Sequence, residues 1–256
     1  MNKTTFLLNR LNAIGESLAK RDTALALIGL GSVGRELDRL DAFSDLDFFA
    51  IVKAGSKAHY LENLSWLSDV APVAYAFMNT VDGYKLLYAD GVFCEFAVFE
   101  EAELAHIPFA PGRVVWKADG VDEAIAVPIY RSGERERPST SYLLGEALTN
   151  LYVGLLREQR GERLSALRFI QGHAVDRIVE LAARLQEATN AHADPFNADR
   201  RFEQRYPNMA QILPALLQGY NKNRESALAA LTFLDEHFAI NAGMKTAVRQ
   251  LCNTHH

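Results

Sequence analysis

Apolar residues recur at helical spacing near the start of the chain: Phe6, Leu7, Leu11, Ile14 and Leu18, with Asn2 or Thr4 placed to cap the first turn. The pattern then changes period. Residues 24–30 form a short, nearly all-apolar run, as a buried strand does. Residues 46–52 form a second such run, and 33–40 between them read as a helix that follows a Gly31-Ser32 turn. Residues 60–67 again have helical spacing. Three strand-like runs come next, 73–78, 84–88 and 92–99, divided by Asp82-Gly83 and Asp90-Gly91. Asp-Gly between apolar runs signals a hairpin, because glycine accepts the positive φ such turns need. Residues 114–117 offer one more strand. The first half therefore predicts an α+β region with a mixed sheet.

Residues 131–141 are polar, contain Gly133 and Pro138, and read as a linker. After it, helical spacing over 142–157, 164–186, 209–218 and 226–237 meets no competing strand pattern. The expected organisation is a mixed-sheet domain over 1–137 followed by an all-α helical bundle over 138–256.

Composition narrows the function classes. The chain has 256 residues, 49% of them hydrophobic, which is ordinary globular usage with enough length for two cores. A net charge of -5 and a pI of about 5.8 disfavour nucleic acid as a partner, since general nucleic-acid binders carry a basic surface. Cys94 and Cys252 lie far apart without metal-ligand spacing, so a reduced, cytoplasmic protein is expected. The N-terminus has polar interruptions every few residues, unlike a signal peptide, and no apolar run approaches the roughly 20 residues that span a membrane.

The chemistry concentrates in Gly31-Ser32, twelve further residues, and then Asp45-Leu46-Asp47 at the head of an apolar run. Carboxylates at i and i+2 of a strand point to one face, where they repel unless a cation lies between them. Magnesium suits such oxygen donors and shares phosphate oxygens with them. A Gly-Ser turn offers N–H groups and a hydroxyl to phosphate. Glu95 interrupts the apolar run 92–99, where a carboxylate is costly unless paired, coordinated or facing a wet cleft. The segment 35–41 is densely charged and is expected to be solvated.

Gly31-Ser32, Asp45-x-Asp47 and the later apolar-Glu-apolar strand at Cys94-Glu95-Phe96 resemble, in order and spacing over about residues 24–99, the nucleotidyltransferase superfamily typified by DNA polymerase β. The size, the helical second half and Arg200-Arg201-Phe202-Glu203-Gln204-Arg205-Tyr206-Pro207 look most like bacterial lincosamide and aminoglycoside nucleotidyltransferases. The resemblance implies Mg²⁺ held by Asp45 and Asp47, with Glu95 as third ligand or as base. It implies a nucleoside triphosphate, expected to be ATP, on Gly31 and Ser32, with Arg35 either on the phosphates or on a helix surface. The acceptor would be a hydroxyl of a small molecule, such as one of those antibiotics. The helical half would bind the acceptor, form a homodimer, or both. Transfer to a protein or RNA, and a non-catalytic nucleotide-binding protein, are the alternatives; three intact carboxylates count against the last.

Arg168-x4-His173 resembles the ribonuclease motif of helical domains that accompany minimal nucleotidyltransferases in toxin–antitoxin systems. Positions i and i+5 of an α-helix do not share a face, so both residues are expected to be structural. Arg200, Arg201 and Arg205 are expected either to bind the nucleotide or to cap and cover the domain interface, with the interface favoured.

Overall fold

The computed structural model describes residues 2–129, 138–189 and 198–253. The chain divides into two units, Met1–Arg135 and Glu136–His256; the boundary, like most of the predicted linker, lies outside the described residues.

In the first unit the predicted apolar runs become strands β1 (Ala24–Gly29), β2 (Leu46–Val52), β3 (Val73–Thr80), β4 (Gly83–Tyr88), β5 (Phe93–Glu100) and β6 (Arg113–Lys117). They form one mixed sheet in the order β3-β4-β5-β2-β1-β6. Hairpins at Val81-Asp82, where Gly83 is already paired with Thr80, and at Asp90-Gly91 make β3, β4 and β5 an antiparallel meander, and β5 then runs parallel to β2. Helices α1 (Lys3–Ala19), α2 (Lys57–Glu62) and α3 (Ser65–Ser68) cover one face of the sheet. There Leu7, Leu11, Ile14 and Leu18 of α1 join Tyr60, Trp66, Phe48, Leu86 and Phe96 in one core. The α1 period places those four residues on one stripe, which is why the helix docks by that side.

A smaller core lies on the opposite face. Ile28, Ile51 and Phe99 from β1, β2 and β5 pack there with Leu104, Phe109 and Ala126 from the chain after β5. Two-sided burial explains the nearly continuous apolar runs of β1 and β2. Alternation along β2 gives Leu46, Phe48, Ala50 and Val52 to the helix-covered face, and Phe49 and Ile51, hence Asp47, to the other.

The expected helix over 33–40 is absent. Two 3₁₀ turns stand there instead, Gly31–Val33 and Leu37–Arg39. Gly34 lies so close to β1 that a Cβ would fall 2.7 Å from the Gly29 carbonyl oxygen, so the chain folds back on the strand end and cannot continue a helix. The expected 60–67 helix is α2 and α3, parted by extended backbone at Asn63.

The second unit has helices and no strand among its described residues. Its elements are α4 (Thr140–Gln159), α5 (Arg163–Leu167), a π-helical turn (Arg168–Ala174), α6 (Val175–Leu185), α7 (Phe202–Arg205), α8 (Pro207–Ala210), α9 (Leu213–Leu216), α10 (Asn223–His237) and α11 (Ala242–Asn253). Ser139 accepts a hydrogen bond from the Tyr142 N–H at 3.1 Å and caps α4. Leu151, Leu155, Ile170, Ile178, Leu231, Leu234 and Val248 form its core.

Candidate active site

Gly31 sits at φ +52°, in the left-handed region that a glycine adopts without cost, and this turns the chain at the end of β1. The turn closes through Val33 N–H to the Leu30 carbonyl at 3.1 Å and Gly34 N–H to the Gly31 carbonyl at 3.0 Å. The amides of Gly31 and Ser32 precede that first bonded amide, the position at which a helical turn leaves donors for another acceptor. Arg113 of β6 fixes the turn from the neighbouring strand, its Nε and Nη2 donating to the Val33 carbonyl at 3.3 and 3.0 Å. Burial lowers the pKa of Arg113. Arg35 is exposed, and its Nε donates to the Gly112 carbonyl at 3.0 Å.

Asp47 lies beside this turn. The Leu30 N–H donates to the Asp47 carbonyl at 2.8 Å, and a Cβ placed on Gly31 would be 3.8 Å from Asp47 Oδ2. Asp45 immediately precedes β2. The loop before it is shaped by Asp41, whose Oδ1 accepts from the Phe43 N–H at 2.8 Å and the Ser44 hydroxyl at 3.1 Å. Such self-contained turns let a short polar segment set the direction of a following strand.

Glu95 is the register partner of Asp47 on the adjacent parallel strand, so both side chains leave the same face at the same level. Glu95 is 44% exposed. Its Oε2 lies 3.3 Å from the Lys85 Nζ, and its Oε1 accepts from the Asn79 amide at 3.4 Å. Lys85 is in turn the register partner of Glu95 across β4 and β5. The strand ends thus bring Gly31, Ser32, Asp45, Asp47 and Glu95 to one end of β1, β2 and β5. Glu95 itself is turned towards Lys85 and Asn79.

Cys94, next to Glu95, points into the helix-covered core. Burial pushes its thiol well above the usual range; Arg10 opposes this, and the nearby Asp45 and Asp47 carboxylates add to it. The thiol is therefore neutral, a packing group and not a nucleophile.

Among the described residues, no three His, Cys, Asp or Glu side chains stand close enough to hold a metal ion by themselves. The donor chemistry nonetheless suits magnesium, which takes one or two carboxylates and completes its shell with phosphate oxygens and water. Asp45, just before β2, and Asp47 are two such carboxylates, and Glu95 is paired with Lys85.

Lys85, Asn79 and Arg113 were not marked by sequence reasoning. Lys85 had a signal: a hairpin centred on Asp90 sets residue 85 against 95. Arg113 had none, because its place depends on β6 pairing with β1.

In the second unit, Arg168 and His173 both line an open cavity of about 620 Å³, with Arg163, Phe169 and Tyr220 among its other walls. This corrects the expectation of separate faces. The π-helical turn bonds i to i+5, so residues five apart stack where an α-helix would splay them. Gln171 is structural: its amide is buried and bonded to Asn223 Oδ1 at 2.8 Å and to both backbone groups of Gly219. Arg205 lies over the Tyr206 ring at 5.0 Å. No helix of the described residues is long and apolar enough to cross a membrane.

Two solved structures are similar to the chain in outline. One is an aminoglycoside 6-adenyltransferase from Bacillus subtilis, 14% identical, with a TM-score of 0.34 over 95% of this chain and 90% of that one. The other is a STING-associated CdnE c-di-GMP synthase from Capnocytophaga granulosa, 12% identical, with a TM-score of 0.35 over 98% of this chain and 78% of that one. No protein-family model and no curated protein matches the chain. At these values neither likeness bears on the activity.

Proposed function

We propose that the protein is a Mg²⁺-dependent nucleotidyltransferase that moves a nucleoside monophosphate from a triphosphate, ATP by preference, to a hydroxyl of a small molecule. The observation that carries this reading is the juxtaposition of a Gly-Ser turn with Asp47 and, one strand away in register, Glu95. The turn's amides and the Ser32 hydroxyl suit phosphate oxygens. Asp45 and Asp47 are the residues that would hold Mg²⁺, which when bound neutralises triphosphate charge.

The acceptor hydroxyl oxygen attacks the α-phosphorus, the bond to the β-phosphate bridging oxygen breaks, and pyrophosphate leaves. Glu95, once free of Lys85, is the carboxylate able to accept the hydroxyl proton. Arg35 is exposed close to the turn and would meet the leaving pyrophosphate if it released Gly112. Catalysis of this kind rests on positioning and charge neutralisation.

The test is turnover of ATP labelled at its α-phosphorus, with Mg²⁺, against a panel of lincosamides and aminoglycosides. Transfer of label to an acceptor with release of pyrophosphate is expected. Labelling of a protein or RNA instead, or binding of ATP without turnover, would replace this reading.

A further inference from the structure

The row that holds Asp47 and Glu95 does not end at Lys85. Register partners continue it to the edge of the sheet: Asp47 faces Glu95, Glu95 faces Lys85, and Lys85 faces Phe77 of β3. Partners in register share a face, so Phe77 projects from the same surface as the two carboxylates. A second row lies alongside, in which Tyr75 is partnered by Leu87 and Leu87 by Phe93. Phe77 is 52% exposed and Tyr75 56%. The smaller core that covers this face draws no residue from β3 or β4. An aromatic, apolar platform therefore adjoins the carboxylates on one continuous surface.

The geometry points to this platform as the acceptor subsite, taking a hydroxylated compound of more than one ring whose apolar ring face lies on Tyr75 and Phe77. The inference rests on the nucleotidyl-transfer reading above. Length is the reason for several rings. Neighbouring strands are about 4.8 Å apart, so the three steps from Asp47 to Phe77 span about 14 Å. A single ring with its hydroxyl at Asp47 would reach Glu95 and stop. Chemistry is the reason for an apolar ring face. Exposed aromatic side chains on one sheet face offer large flat area at little cost in side-chain entropy, while Lys85, Glu95 and Asn79 supply the polar border that orients hydroxyls. Ring compounds that alternate a C–H face with hydroxyls match both parts.

Two ligand series separate neutral from amino-substituted rings: methyl glucoside, maltose and maltotriose, and 2-deoxystreptamine, neamine and kanamycin. Each would be titrated calorimetrically into wild type and into Tyr75→Ala/Phe77→Ala, with ATP titrated in parallel. In at least one series, affinity is expected to rise tenfold or more from one ring to three. The double variant should lose that gain while binding ATP and melting as wild type does. Equal affinity along both series, no binding by any member, or a gain that survives the double substitution would overturn the subsite. Because the readout is binding, it stands apart from turnover: loss of labelled transfer with ring-dependent binding intact would count against the nucleotidyl-transfer reading and not against the platform.

Discussion

Asp47 and Glu95 face each other across the one parallel pairing among the described strands, β2 with β5. The residues are 48 apart in sequence, and the helices and meander between them exist, in effect, to return the chain at that level. Their separation is one strand spacing, so whatever neutralises one is felt by the other.

Asp47→Asn should reduce nucleotidyl transfer by at least about a hundredfold, the scale expected when a charge-stabilising group is removed from a phosphoryl site. The variant should fold as wild type, since relief of repulsion between carboxylates opposes any loss. Near-wild-type turnover of labelled ATP would remove Asp47 from the site.

Lys85→Met releases Glu95 from its ion pair. Both partners are nearly half exposed, so the pair contributes at most about 1 kcal/mol and the melting temperature should hardly move. The Mg²⁺ concentration for half activity should fall if the freed carboxylate joins the metal. With Glu95→Gln it should rise, or stay fixed while kcat falls if Glu95 is the base. A Mg²⁺ titration of the two variants tells these apart, and wild-type behaviour in both would leave Glu95 outside the chemistry.

Gly31→Ala should cost about 1–2 kcal/mol from its left-handed backbone alone, because its Cβ meets only Asp47 Oδ2 at ordinary contact. Gly34→Ala should cost more than Gly31→Ala, since its Cβ would lie within 3 Å of the backbone at Gly29 and Leu30. Denaturant midpoints in the reverse order would show that the turn relaxes more freely than its packing implies.

Burial works to raise the pKa of Asp90 from its ordinary 3.8, but the hydrogen bond and charge of Arg10, together with backbone hydrogen bonds from Val92 and from its own amide, outweigh it and the group sits lower in the fold. A carboxylate lowered in the fold contributes stability that is complete above its unfolded pKa and is lost as pH falls through the folded value. The stability gap between wild type and Asp90→Asn should therefore be constant from neutral pH to about 5 and close towards pH 2. A gap unchanged at low pH, measured by denaturant titration, would mean that Asp90 acts through turn shape and not through charge.

Much of this was legible in the sequence, and the part that was not has a common cause. The strands announced themselves as short apolar runs, and the hairpin at Asp90-Gly91 formed as expected with Gly91 at φ +83°, whereas the first hairpin turns one residue earlier, at Val81-Asp82, and leaves Gly83 paired in β4. Gly31, Ser32, Asp45 and Asp47 stand out in the sequence as candidates because turn and carboxylates are local signals. The helix over 33–40 was overestimated because the contact of Gly34 with the Gly29 carbonyl is tertiary. Helix α11 went unread because Met244, Val248 and Cys252 are sparse among polar residues, so its buried stripe is thin. Arg35 bound to Gly112, and Arg113 to Val33, depend on the strand order at the β6 edge, which no periodicity encodes.

The π-helical turn at Arg168–Ala174 carries a last consequence. An i to i+5 turn is what an α-helix makes to absorb one extra residue while the segments before and after keep their facing. Ile170 before the bulge's centre and Ile178 after it both remain in the core. This helix therefore has one residue to spare. Deleting a residue here should be tolerated, whereas the same deletion in the middle of α4 would swing every later side chain of that helix about a quarter turn off the core.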